Sequence, residues 1–211
     1  MHQKNIVTAG KEISTDSKAL IMLHGRGGTA EDILSLAAYL NVADFSLLAP
    51  QATNHTWYPY SFMAPVKENE PWLSGALTLL QDLTAELNAK GISSDRIYFL
   101  GFSQGACLTL EYVTRNAVRY GGVVAFTGGL IGDKIYNDNY SGDFQNTPIF
   151  IGTSNPDPHV PLERVKETTQ ILEQMNAQVT KKVYNGMGHT INQDEIDHAN
   201  RLVFSTPIQT Q

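Results

Sequence analysis

Cysteine is nearly absent: Cys107 is the only one in 211 residues. A single thiol excludes an intramolecular disulfide and a cysteine-rich metal cluster. Charge is sparse as well, at 17% of residues, with a formal net charge of −6 and no run of Lys or Arg. That balance argues against nucleic acid or an anionic membrane surface as the main partner. No apolar run approaches the ~20 residues of a bilayer span, so no integral membrane segment is expected. The opening residues Met1-His2-Gln3-Lys4-Asn5 carry no apolar leader core, and a cytoplasmic protein is the expectation. Repeats, low-complexity tracts and linkers are also missing. What is present is a chain 42% hydrophobic, long enough to bury roughly 70% of the surface its unfolded form exposes. Residues 1–211 are expected to form one domain.

Apolar runs and helical patterns alternate along that domain. Ala19-Leu20-Ile21-Met22-Leu23, Phe45 to Ala49, Arg96 to Leu100, Gly122 to Phe126, Pro148 to Gly152 and Val179 to Tyr184 read as strands. Between them lie helical patterns. One opens at Thr29 with Asp32 as its capping-box partner and places Ile33, Leu34, Leu36, Ala37 and Leu40 on one face. A long one starts at Pro71 and stops at Gly91. Others run from Ala106 to Val118, from Pro161 to about Asn176, and from the cap Asn192 (with Glu195 at its third position) to Phe204. Strands alternating with helices imply an α/β fold with a mostly parallel central sheet covered on both faces. The segment before Lys11 adds a candidate antiparallel edge strand. In such sheets ligands bind beyond the carboxyl ends of the strands, and His24, Ser103, Asp157 and His189 all fall there.

The sharpest local signal is Gly101-Phe102-Ser103-Gln104-Gly105. It reads G-x-S-x-G between an expected strand and an expected helix, the setting of a nucleophile elbow. The bland alternative is a turn serine without chemistry. The flanking glycines fit the elbow because a Cβ at either position would collide with the neighbouring strand or helix. A serine hydroxyl needs a base. His189, in Tyr184-Asn185-Gly186-Met187-Gly188-His189, lies directly beyond the last strand. The other histidines are placed less well: His2 is terminal, His55 lies in an irregular loop, His198 lies inside the closing helix, and His159 follows the proposed acid by two residues. The acid should fall between nucleophile and base in the order Ser…Asp…His. Asp157, just past a buried strand, fits, with Asp133, Asp138 and Asp143 as alternatives in a polar excursion. An oxyanion hole needs two main-chain N–H groups. Gln104, at the start of its helix, is one candidate. Arg26, in His24-Gly25-Arg26-Gly27-Gly28 after an early strand, is the other. Cys107, one turn past Ser103, reads as a small core residue. No metal and no cofactor is called for, since the histidines are scattered and Cys107 stands alone.

Pro50 to Pro71 is a long stretch rich in aromatics and proline. Loops of this kind are unusual unless functional. Trp57, Tyr58, Phe62 and Met63, together with Tyr60, are expected to wall an acyl or aromatic pocket. Packing on the core is the alternative.

Taken together, these motifs resemble the phospholipase/carboxylesterase group of α/β hydrolases, which includes the acyl-protein thioesterases. The matching stretches are Leu23-His24-Gly25 with its glycine loop, Ala49-Pro50, Gly101 to Ala106, Asp157-Pro158-His159-Val160-Pro161 and Tyr184 to His189, in that order. The resemblance implies an α/β-hydrolase fold without a large cap domain. It implies hydrolysis of a small-molecule ester by Ser103, His189 and Asp157, with oxyanion donors at Arg26 and Gln104. Two segments depart from the thioesterase members, which usually carry Leu-Gly-Asp where this chain has Arg26-Gly27-Gly28. The Thr56-Trp57-Tyr58-Pro59-Tyr60 segment also differs. These departures favour small acyl or aryl esters over depalmitoylation of proteins. The same triad would serve an acyl-thioesterase, a lysophospholipase or an acyltransferase, and a ligand-binding receptor on a hydrolase fold is the reading from another class. Exposed aromatics near the site are compatible with a homodimer.

Overall fold

A computed structural model describes residues 2–205. Seven strands form its sheet: β1 (Ile6–Gly10), β2 (Lys18–Leu23), β3 (Phe45–Pro50), β4 (Ile97–Phe102), β5 (Gly122–Phe126), β6 (Pro148–Asn155) and β7 (Gln178–Asn185). Their order is β1-β3-β2-β4-β5-β6-β7. β1 pairs antiparallel with β3, as the sequence suggested for this edge, and every other pairing is parallel. Five α-helices accompany the sheet: α1 (Ala30–Leu34), α2 (Trp72–Ala89), α3 (Gln104–Arg115), α4 (Leu162–Gln174) and α5 (Gln193–Leu202).

Period-two alternation sorts the strand residues onto two faces. Ile21, Phe99, Val123 and Ile151 pack with Leu80 of α2, Val113 of α3 and Leu172 of α4. Leu20, Leu100, Val124 and Phe150 pack on the opposite face with Ile33 of α1 and Ile196 of α5. The sheet is therefore sandwiched, which is why its central strands read as nearly unbroken apolar runs. The architecture is that of an α/β hydrolase. No helix among the described residues is long and apolar enough to cross a membrane.

Both capping boxes form, Thr29 with Asp32 and Asn192 with Glu195. The helix expected over Thr29 to Leu40 is shorter than its pattern. α1 ends at Leu34, and Ser35–Tyr39 tightens into a 3₁₀ helix. Ser35 Oγ donates to the Asp32 carbonyl at 2.6 Å. This local bond competes with the helical ladder at that turn. β6 runs three residues further than expected, because Thr153, Ser154 and Asn155 continue the ladder with Val183, Tyr184 and Asn185 of β7. The extension carries the Asp157 turn up beside the loop after β7.

The chain runs from β3 across β2 to β4, so direction reverses at β2. In an open parallel sheet such a switch point opens a crevice at the carboxyl ends of the strands. The loop after β2 and the turn after β4 face each other there. Loops after β6 and β7 rise at the same end.

Candidate active site

Gly101 and Gly105 make the turn after β4 sterically feasible. A Cβ at Gly101 would run into the carbonyl of Gly105, and one at Gly105 into the carbonyls of Leu23 and His24. Ser103 sits between them at φ 53°, ψ −117°, a strained conformation for a residue with a side chain. Its N–H donates to Phe126 O at 2.9 Å. That bond ties the turn to β5, and α3 starts immediately afterwards.

His189 Nε2 lies 2.7 Å from Ser103 Oγ. On the other side of the ring, Nδ1 lies 2.9 Å from Asp157 Oδ2. With Nδ1 protonated and donating to the carboxylate, Nε2 is left to accept from the serine hydroxyl. The Asp157 carboxylate is fully buried. Its other oxygen accepts the main-chain N–H groups of His159 and Val160, both at 2.8 Å. Burial opposes the Asp157 charge, but the bonds from His189 and these two N–H groups outweigh it and hold the carboxyl below the usual range. Ser154 holds the acid and base loops together. Its hydroxyl donates to Pro156 O at 3.2 Å and accepts the Gly188 N–H at 3.0 Å.

The alternatives for acid and base stand elsewhere. Asp133 accepts from Tyr136 Oη, Asp143 bonds Gln145 N–H and Asn176, and Asp138 is exposed. His2 bonds the Trp57 carbonyl, His55 that of Gly28, and His198 that of Asp194. The His159 ring meets His189 edge-on, centroids 4.8 Å apart, and contributes only its main-chain N–H to Asp157.

The loop after β2 packs directly on the elbow, since a Cβ at Gly25 would lie 3.5 Å from Ser103 Cβ. His24 anchors this loop from below. Its ring bonds Gly25 O through Nδ1 at 2.7 Å and accepts Ala52 N–H at Nε2 at 3.1 Å. Burial pushes its pKa down, so the imidazole is neutral in this tautomer. Arg26 N–H donates to no acceptor among the described residues. Gln104 N–H belongs to the first turn of α3, where helical N–H groups lack intrahelical acceptors.

A cavity of about 550 Å³ opens over Ser103 and His189, with Arg26, Tyr58, Tyr60, Phe62 and His159 among its walls. Two expected wall residues are not there. Trp57 is fully buried. Its Nε1–H donates to His24 O at 2.8 Å and its N–H to Gln104 Oε1 at 2.9 Å, so it supports the loops from behind. Met63 packs against the main core instead. Cys107 lies at the cavity's base, where burial pushes the thiol up to about 12. It stays a neutral thiol there.

Sequence reasoning did not single out Ser154 or Thr56, nor the side chain of Gln104. Gln104 Nε2 donates to Tyr58 O at 2.8 Å, and Thr56 Oγ1 accepts from Arg26 Nη1 at 2.9 Å. Ser154 and Thr56 stand among other polar residues, so no local signal marks them.

Known proteins share this fold. A crystal structure of a phospholipase/carboxylesterase from Dyadobacter fermentans superposes with a TM-score of 0.95. It is 56% identical, over 97% of this chain and 98% of that one. Acyl-protein thioesterase 1 of Saccharomyces cerevisiae is 26% identical over 220 residues, 92% of this chain and 94% of the yeast protein. A probable carboxylesterase of Oryza sativa is 25% identical over 195 residues, 84% of this chain and 73% of the rice protein. The phospholipase/carboxylesterase family model matches residues 3–204, and the chain belongs to that family of ester-cleaving hydrolases.

Proposed function

We propose that this protein hydrolyses carboxylic esters with small acyl or aryl groups through Ser103, His189 and Asp157. The reading rests on one observation above others: an unbroken line of bonds from Asp157 through His189 to Ser103, at 2.9 and 2.7 Å, opening on a cavity. Ser103 Oγ attacks the ester carbonyl carbon while His189 Nε2 takes its proton. The carbonyl oxygen becomes an oxyanion held by the N–H groups of Arg26 and Gln104. As the intermediate collapses, the C–O bond to the alcohol breaks and His189 returns the proton to the departing oxygen. Water then repeats the sequence on the acyl-serine and releases the carboxylic acid. Asp157 keeps the imidazole in the productive tautomer throughout. A single domain working on a small-molecule ester in the cytoplasm is the setting that fits this reading.

Ser103→Ala is expected to abolish hydrolysis of a 4-nitrophenyl ester and labelling by a fluorophosphonate, with the circular dichroism spectrum unchanged. Full turnover in that variant would refute the mechanism. Thioester hydrolysis is the second reading, favoured by the full-length similarity to the yeast thioesterase. Rates on a matched oxygen ester and thioester decide between the two.

A further inference from the structure

The two proposed oxyanion donors come from different elements, yet their side chains meet on one hydroxyl. Arg26 Nη1 donates to Thr56 Oγ1 at 2.9 Å, and Gln104 Nε2 approaches the same oxygen at 3.2 Å. The hydroxyl in turn donates to Tyr58 O at 2.9 Å. The guanidinium also bonds Pro59 O at 2.9 Å and Tyr60 O at 2.7 Å. On the main chain, Gly27 N–H donates to His55 O at 2.7 Å, and His55 Nδ1 bonds Gly28 O at 2.9 Å. The segments joined in this way, Arg26 to Gly28 and Thr56 to Tyr60, are the two that set this sequence apart from the thioesterase pattern.

An exposed arginine does not ordinarily keep one geometry, because ordering its long side chain costs entropy. Here a planar fork finds three acceptors on one loop, which fixes its direction. A main-chain N–H on a glycine-rich loop is useful to an oxyanion only if something fixes the loop, since the donors must be in place before charge develops.

We propose that Thr56 is a positioning residue for the oxyanion hole. Its hydroxyl couples the side chains of Arg26 and Gln104, so that both N–H donors and the Tyr58–Tyr60 cavity wall keep one register. This role rests on the ester-hydrolase reading of Ser103.

The test uses the full chain and the variants Thr56→Val, Thr56→Ser and Arg26→Met. Valine keeps the shape of threonine and removes the hydroxyl; serine keeps the hydroxyl. For Thr56→Val, kcat on a 4-nitrophenyl ester is expected to fall ~10–10²-fold with little change in KM, the size of effect that small misplacement of a catalytic group produces. Inhibition by a trifluoromethyl ketone, which adds to the serine and places an oxyanion in the hole, should weaken in step with kcat/KM. Inhibition by the product carboxylate should hold. Thr56→Ser should restore kcat to within about threefold of the native enzyme, and Arg26→Met should reproduce the valine signature. Arg26 is exposed, so its variant carries the test if Thr56→Val does not fold. Near-native kcat in the valine variant, or equal weakening of both inhibitors, would overturn the positioning role while leaving Ser103-dependent turnover intact. Absence of Ser103-dependent turnover in the native protein would take down both readings.

Discussion

Glu195 offers the clearest link between burial and a measurable pH effect. It occupies the first turn of α5, with no exposed surface. One oxygen accepts the Asn192 N–H at 2.9 Å. The other, Oε1, has no hydrogen-bond partner among the described residues. It packs against Gly152 of β6, where a Cβ would collide with it. Burial is the main cause of a carboxyl pKa pushed up from 4.5 to about 7, and neighbouring Asp194 adds to it. Between those two pH values the folded protein keeps a proton that the unfolded chain has released. Stability therefore falls as pH rises through that window. Each pKa unit is about 1.4 kcal/mol, so the whole rise is worth about 3 kcal/mol. Glu195→Gln keeps the capping box, which accepts glutamine at this position, and has no charge to bury. Urea unfolding of both proteins at pH 4.5 and pH 8 isolates the effect, because other titrations cancel in the difference. The two should be nearly equal in stability at pH 4.5. At pH 8 the variant should be more stable by about 3 kcal/mol, or ~6–12 °C in Tm for a chain of this size. A difference that does not change between the two pH values would refute the reasoning.

Asp157→Asn should lower kcat about 10⁴-fold with little change in KM, because the amide favours the wrong histidine tautomer. The depressed Asp157 pKa gives the native protein stability above the usual carboxylate range that it loses as pH falls through the folded value. Acid unfolding of the asparagine variant should lack that contribution, and identical acid titrations would count against the hydrogen-bonded buried carboxylate. Gly105→Ala should cost about 1–3 kcal/mol in a denaturant melt and depress kcat, since the new methyl meets main-chain carbonyls that no rotamer change can move. A native-like melt would show that the close approach of α3 to β2 is not real.

Much of this architecture was legible because its signals are local. Gly122–Phe126 is a strand buried on both faces and has the same bounds in sequence and structure. The Asn192/Glu195 box marks its helix start for the same reason: both partners lie within one turn. That Ser103, Asp157 and His189 would be brought together was readable because each sits at a strand end with its own flanking pattern. Tyr58, Tyr60 and Phe62 line the cavity, and Trp57 does not, because its deciding contact is long-range. Trp57 looked like a pocket aromatic, but its indole N–H finds His24 O, 33 positions away, and nothing near it in sequence announces that bond. Thr56 was invisible on the same ground, as an ordinary threonine whose partners come from the loop after β2 and the start of α3. The shortened α1 had another cause. Its apolar pattern is genuine and faces the core, but at the turn where the helix tightens the Ser35 hydroxyl bonds the Asp32 carbonyl, a local competitor that the pattern does not reveal.

The left-handed backbone at position 103 also constrains which side chains this turn can evolve. Serine and cysteine each carry a single γ heavy atom, and either can stand in such a turn. Threonine brings a methyl on Cβ, where branching is least tolerated at positive φ. Mutational drift from the serine hydroxyl to a cysteine thiol is thus sterically open here, whereas the equally short genetic step to threonine meets a wall built by the main chain itself.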